Sequence, residues 1–167
     1  MQVINLFSGP GSGKSTTCAG LFYKMKNLDM KVELVQEYAK DMTYEKRSNI
    51  LEDQLYIFAK QARRLERLKG HVDYVITDSP LLLSIIYNTK SKILNNLIEE
   101  TYNSYNNINF LLKRVKKYQT YGRNQTEEEA KEIDLKVSKM LIEKKYWFYS
   151  IDANETAVDN ILSRIIT

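Results

Sequence analysis

The stretch VINLFSGPGSGKST, residues 3–16, decides how the chain is read. Val3, Ile4, Leu6 and Phe7 make a short apolar run that reads as a buried strand. Ser8 to Thr16 follow as a glycine-rich turn carrying Lys14-Ser15, and an apolar-periodic helix comes next. Strand, glycine turn, Lys-Ser and helix together are the context of a phosphate-binding loop. Glycines let successive backbone N–H groups approach phosphate oxygens with no Cβ between them. A helix opening near Gly13 aims its free N–H groups and positive dipole end at the same anion. Gly9, Gly11, Ser12, Gly13, Lys14, Ser15 and Thr16 are therefore the expected phosphate-binding residues. Lys14 suits the β- and γ-phosphates of ATP, and the Ser15 hydroxyl suits Mg²⁺. The spacing departs at one place. Where the usual G-x-x-x-x-G-K-S/T pattern opens on glycine this chain has Ser8, and Gly9 sits one position later.

The 167 residues suit one domain, 1–167, with one core. A 43% hydrophobic and 28% charged composition is that of a soluble globular chain, and no run approaches the ~20 apolar residues of a membrane span. MQVINLF enters the first strand directly, so no signal peptide is expected. Cys18 is the sole cysteine, which excludes an internal disulfide and points to a reducing, cytoplasmic setting. The net charge of +4 leaves positive charge for nucleotide phosphates and is compatible with a polyanion such as DNA. His71, the single histidine, reads as a surface loop residue, so catalysis is not expected to rest on histidine.

Taken in order, a first helix is expected over 13–28 with Cys18, Leu21, Phe22 and Met25 on one face, then a strand at 32–35 followed at once by Glu37. A long helix over 48–69 is expected from the stripe Leu51, Leu55, Phe58, Ala62 and Leu65, with Gln54, Gln61, Arg63, Arg64 and Arg67 on its polar face. A third strand, 72–77, leads into Asp78, a Walker-B-like second Mg²⁺ anchor. Ser79 and Pro80 read as N-cap and first residue of the LLLSIIY helix. Another helix spans 91–105, Asn103–Asn109 reads as loop, and 108–112 as the fourth strand. The basic segment 113–126 reads as a lid, closed by the capping box Thr126-x-x-Glu129 that opens a helix to 145. A fifth strand, 147–151, the Asp152-Ala153-Asn154 loop and a helix over 155–166 complete the alternation, which implies a parallel α/β sheet with helices on both faces.

In such a sheet ligands bind beyond the carboxyl ends of the strands. The glycine loop, Glu37, Asp78, Arg114 with Arg123, and Ala153-Asn154 each follow a strand, so all land on one edge. These are the parts of phosphoryl transfer: Lys14 and Mg²⁺ for the triphosphate, Ser15 and Asp78 for the metal, and Glu37 to bind or activate an acceptor hydroxyl. Arg114 and Arg123 neutralise the transferring group. The roles of Glu37 and Asp78 are interchangeable at this level. Tyr38, Tyr44 and Tyr87 stand where an acceptor base would stack.

These residues resemble the P-loop nucleoside and nucleotide kinases, on GPGSGKST, Glu37, TDSP at 77–80, YGR at 121–123 and IDANETAVDNI at 151–161. The resemblance takes in thymidylate-kinase-like and ribosylnicotinamide-kinase-like proteins, the latter on Glu37-Tyr38-Ala39, and is closest to small bacteriophage P-loop kinases, some of which phosphorylate a hydroxymethylated base within DNA. Asp78-Ser79 lacks the arginine that thymidylate and deoxynucleoside kinases place after this acid. The resemblance implies a three-layer P-loop NTPase fold with strand order 2-3-1-4-5 and a small basic lid. It also implies ATP and Mg²⁺ as cofactors, Ala153 and Asn154 beside the adenine, and a nucleoside-like hydroxyl or phosphate as acceptor. No N-K-x-D guanine motif is present, which argues against a GTPase. A DNA-directed kinase and an ATPase without phosphorylated product stay open as alternatives, as does a homodimer through tyrosine-rich faces such as Tyr102 and Tyr105.

Overall fold

In the computed structural model, which describes residues 1–88, 90–115, 117–119 and 125–166, the chain alternates strands and helices. The elements are β1 (Gln2–Phe7), α1 (Lys14–Asn27), β2 (Val32–Val35), α2 (Tyr38–Tyr44), α3 (Ser48–Leu51), α4 (Gln54–Glu66), β3 (Tyr74–Thr77), α5 (Leu83–Tyr87), α6 (Lys92–Asn103), β4 (Asn106–Lys113), α7 (Glu127–Glu143), β5 (Tyr149–Asp152) and α8 (Ala157–Leu162). The strands form a parallel sheet of order β2-β3-β1-β4-β5, the order the resemblance implies.

Side-chain alternation along β1 sorts the core into two layers. Ile4 and Leu6 join Cys18, Leu21 and Met25 of α1 and Ala157 and Ile161 of α8. Val3 and Phe7 face the opposite way, onto Phe58 and Leu65 of α4, Ile98 of α6, and Val137 and Leu141 of α7. Each of these large side chains is buried, worth about 1.5–3 kcal/mol apiece. Tyr102 and Tyr105 belong to this second layer and are core residues rather than surface. Among the described residues no helix is long and apolar enough to cross a membrane.

Several local expectations are corrected. The helix expected over 48–69 is two helices. Asp53 accepts the Tyr56 N–H at 3.0 Å and so caps a new start for α4, leaving α3 as a single turn. Leu55 is consequently exposed, and the buried face of α4 is Ile57, Phe58, Gln61 and Leu65. The segment after Glu37 is a helix of its own, α2. Ser79 does not cap the helix after β3: a turn closed by the Leu83 N–H on the Pro80 carbonyl at 2.9 Å intervenes, and α5 begins at Leu83.

The asparagine-rich stretch at 103–109, read as loop, is largely strand. Its amides are spoken for. Asn5 Nδ2 donates to Asn107 Oδ1 at 2.9 Å and to Asn109 Oδ1 at 3.2 Å; Tyr102 donates its hydroxyl to Asn109 Oδ1 at 2.5 Å; Asn109 Nδ2 donates to the Trp147 carbonyl at 3.0 Å. Hydrogen bonds among the buried amides offset the cost of taking them out of water, so a polar run sits in the sheet centre.

Candidate active site

The loop after β1 takes its shape from two left-handed glycines, Gly11 (φ 74°) and Gly13 (φ 109°). Gly13 stands directly before α1, so the first N–H groups of that helix open toward the turn. Ser8 has no positive φ, which is why a serine is accommodated at the first position of the pattern. Its buried hydroxyl pairs with that of Ser12. The demand for glycine has moved to position 9: a Cβ there would lie 2.5 Å from the Ala130 carbonyl oxygen and 2.9 Å from Asp134 Oδ1 on α7.

Lys14 bends back over the loop and donates to the carbonyls of Ser8 and Gly9, both at 2.8 Å. Burial pushes its pKa down, against the carboxylates of Glu37, Asp78 and Asp134, which favour the charged form. Ser15 Oγ donates to Asp78 Oδ2 at 2.5 Å, and Asp78 Oδ1 is buried with no hydrogen-bond partner among the described residues. An orphaned carboxylate oxygen beside a hydroxyl is a donor set that suits Mg²⁺, which takes one or two protein oxygens and completes its shell with phosphates and water. Among the described residues no three His, Cys, Asp or Glu side chains cluster, so the fit is to an ion shared with a nucleotide rather than one caged by protein.

These groups open on a cleft of about 390 Å³. Ser8, Pro10, Gly11, Gly13, Lys14, Ser15 and Thr16 line its phosphate end; Glu37, Lys40, Tyr44, Gln54, Ser84 and Tyr87 line the other, with Asp78 between. Glu37 is the N-cap position of α2 and makes no side-chain hydrogen bond among the described residues. Burial raises its pKa, Lys14 opposes the shift and Asp78 adds to it. The Tyr87 hydroxyl is held far above its ordinary range, first by burial and then by Glu37 and Asp134.

Not every expected residue reaches the cleft. Tyr38 does not line it: α2 turns its ring away, onto Tyr56 (hydroxyls 3.2 Å apart) and under the Arg64 guanidinium at 5.1 Å. Gly9 packs on α7, and the Ser12 side chain turns inward. Ala153 is buried beside Gly13, where an added Cβ would stand 3.5 Å from it. Asn154 does not line the cleft but accepts the Thr156 N–H at 3.0 Å, at the entry to α8. Arg114 docks on the loop instead of standing free in a lid: Nη2 donates to the Pro10 carbonyl at 2.8 Å, and Nε and Nη2 meet Asp134 Oδ2 at 3.0 and 2.9 Å. Arg123, with the YGR motif at 121–123, lies outside the described residues.

Two supporting residues escape the sequence reading. Gln61, assigned there to the polar face of its helix, is buried. Its Oε1 accepts the Tyr38 N–H at 2.9 Å and its Nε2 donates to the Gln36 carbonyl at 3.3 Å, so one amide grips the backbone on both sides of Glu37. Arg64 Nη1 donates to the same Gln36 carbonyl at 3.0 Å. The second is Asp134, hidden in the acidic segment EEEAKEID. In both cases the spacing held a signal: Gln61 falls between Phe58 and Leu65, and Asp134 between Ala130 and Val137, each on the buried stripe.

The sheet order, the glycine loop and the Ser15–Asp78 pair define a P-loop nucleotide-binding protein with a nucleoside-kinase-like fold. The model of the family described as an AAA domain matches residues 3–156, and the chain belongs to that family. Among solved structures it is similar to deoxyadenosine kinase from M. mycoides with bound dATP (18% identity, all of both chains covered, TM-score 0.58). It is also similar to the same enzyme with dCMP and dCDP (17% identity, 99% of both chains, TM-score 0.61). No curated protein sequence matches the chain.

Proposed function

We propose that the protein is an ATP-dependent kinase that transfers the γ-phosphate to a small nucleoside-like acceptor, with a hydroxyl as the acceptor atom. The observation that carries this reading is the division of two carboxylates within one cleft: Asp78 is committed to Ser15, and Glu37 faces the other end with no hydrogen-bond partner among the described residues. Mg²⁺, held by Ser15 and Asp78, would spread the charge developing on the phosphate oxygens. Lys14 exchanges the Ser8 and Gly9 carbonyls for phosphate oxygens. Glu37 takes the acceptor's hydroxyl proton as that oxygen bonds the γ-phosphorus and the bond to the ADP oxygen breaks. A carboxyl pKa raised by burial suits a base working near neutral pH. Arg114, with Arg123, neutralises charge on the transferring group.

A hydroxyl suits the acceptor end better than a phosphate does, because a carboxylate there repels an anion and Lys40 is its one cation among the described lining residues. Tyr44 and Tyr87 offer ring faces for a base. The likeness to a deoxyadenosine kinase supports a nucleoside acceptor, and Glu37-Tyr38-Ala39 supports the ribosylnicotinamide-kinase-like subgroup as the finer assignment. Exposed Lys113 and Lys117 at the end of β4 favour a second reading, a kinase acting on hydroxymethylated bases in DNA. Labelled ATP with Mg²⁺ tests both, offered nucleosides, nucleoside monophosphates and nicotinamide riboside in one set and duplex DNA in the other. Label in a small molecule is the expected result. Label in DNA, with binding that falls steeply with salt, establishes the second reading. Label released only as free phosphate overturns both.

A further inference from the structure

Resting on the nucleotide-binding half of that reading, we infer that Asp134 is a positioning residue that locks the P-loop and Arg114 into one unit for binding the ATP polyphosphate. Its two oxygens divide the work. Oδ1 accepts the Gly9 N–H at 2.5 Å, at the entry to the loop, and Oδ2 takes Arg114 at 2.9–3.0 Å. Arg114 closes the circuit by donating to the Pro10 carbonyl at 2.8 Å. The ring therefore runs from Gly9 to Asp134 to Arg114 to Pro10 and back through the Gly9–Pro10 peptide. It joins the end of β1, the end of β4 and the second turn of α7, three elements far apart in sequence.

The arrangement is tight and selective. The Arg114 side chain is 10% exposed and Asp134 25%, so the pair is shielded enough for its charge-assisted bonds to hold geometry. A Cβ at Gly9 would strike the Ala130 carbonyl one turn before Asp134, so only glycine lets the helix come this close. The lock also leaves capacity unused. Arg114 Nη1 is buried and has no hydrogen-bond partner among the described residues. A guanidinium with two of its nitrogens tied down and the third unpaired, resting against a phosphate-binding loop, is set for an anion. Without Asp134 the guanidinium would keep the Pro10 carbonyl and the Tyr118 ring, 5.7 Å away, but would lose the two bonds that set its plane before it meets a phosphate.

The test is a double-mutant cycle read as ATP affinity by equilibrium titration of the full chain, which needs no acceptor. Asp134→Asn is the informative change, because its amide oxygen keeps the Gly9 bond while its NH₂ faces the Arg114 donors. Asp134→Asn and Arg114→Ala are each expected to weaken ATP about tenfold, and the double variant to lie within about threefold of Arg114→Ala alone. A merely structural role would give independent losses that multiply to about a hundredfold, and that result overturns the inference. So does unchanged affinity in Asp134→Asn, or a wild type that binds no ATP. If Asp134→Asn does not fold, Arg114→Lys decides: an ammonium cannot span Asp134 and Pro10, so about a tenfold loss is expected and an unchanged affinity is contrary. Failure of the kinase reading looks different, with ATP bound normally and no acceptor labelled.

Discussion

The phosphate end of the cleft is written in one continuous run, residues 8–16, whereas the acceptor end is drawn from α2, α4 and α5 and held by groups distant in the chain. At the first, geometry follows from local chemistry: left-handed Gly11 and Gly13, a helix start, Lys14 and Ser15 in sequence. At the second, Glu37 is the proposed base, and Gln61 is what fixes its backbone, from 24 residues further on. A site of the first kind takes its shape from its own residues and needs distant groups only as braces, as Asp134 and Arg114 are for the loop. A site of the second kind is exposed to substitutions in residues that touch no substrate.

That contrast can be broken or sharpened by substitution. Lys14→Ala should abolish phosphoryl transfer, by about a thousandfold or more, with the fold intact by circular dichroism. Glu37→Gln should lower turnover by about a hundredfold or more and remove the acid limb of the pH–rate profile. That limb should lie above the ordinary carboxylate range, because burial raises the Glu37 pKa and the base works only when ionised. The same raised pKa means that Glu37 favours the folded state below its unfolded pKa and loses that contribution as pH rises through the folded value. Glu37→Gln should therefore melt at the same temperature as wild type or higher at pH 7, while wild type falls behind between mildly acidic and neutral pH.

Gln61→Leu should lower turnover by about tenfold with ATP affinity unchanged, and destabilise by about 1–3 kcal/mol because the Tyr38 N–H loses its partner. Equal loss of ATP affinity in that variant would mean that the two ends of the cleft are not separate. At the loop entry the two positions should part, with the smallest effect at Ser8. Gly9→Ala should destabilise by about 1–3 kcal/mol through its clash with α7, whereas Ser8→Gly should stay within about 1 kcal/mol, both by denaturant unfolding.

Legibility in the sequence followed the same division. Strand, loop and α1 were readable because each step depends on near neighbours, and the sheet order followed from the family resemblance. The long helix over 48–69 was misread because apolar spacing continues across Glu52 and Asp53, while the break is made by a side-chain cap. The strand character of Asn106–Asn109 was hidden because Asn107 and Asn109 enter the sheet only as a bonded set with Asn5. Gln61 looked like a solvated helix residue and Asp134 did not stand out from the acidic residues around it, and only their place on a buried stripe told otherwise. Tyr38 was misplaced because an adjacent glutamate does not say which way the next helix turns its ring.

The asparagine network also bears on how the sheet assembles. β1 and β4 must find each other across a long loop, since Asn5 and Asn109 stand 104 positions apart. Apolar strands alone would tolerate sliding, as one valine or leucine replaces another at little cost. A slip of one residue here would turn Asn5 into the Ile4–Leu6 layer and strand several amides without partners, at about 1–3 kcal/mol each. The polar centre thus acts as a register mark: the observed pairing satisfies the amides, and the same register brings the loop after β1 and Arg114 after β4 to one edge.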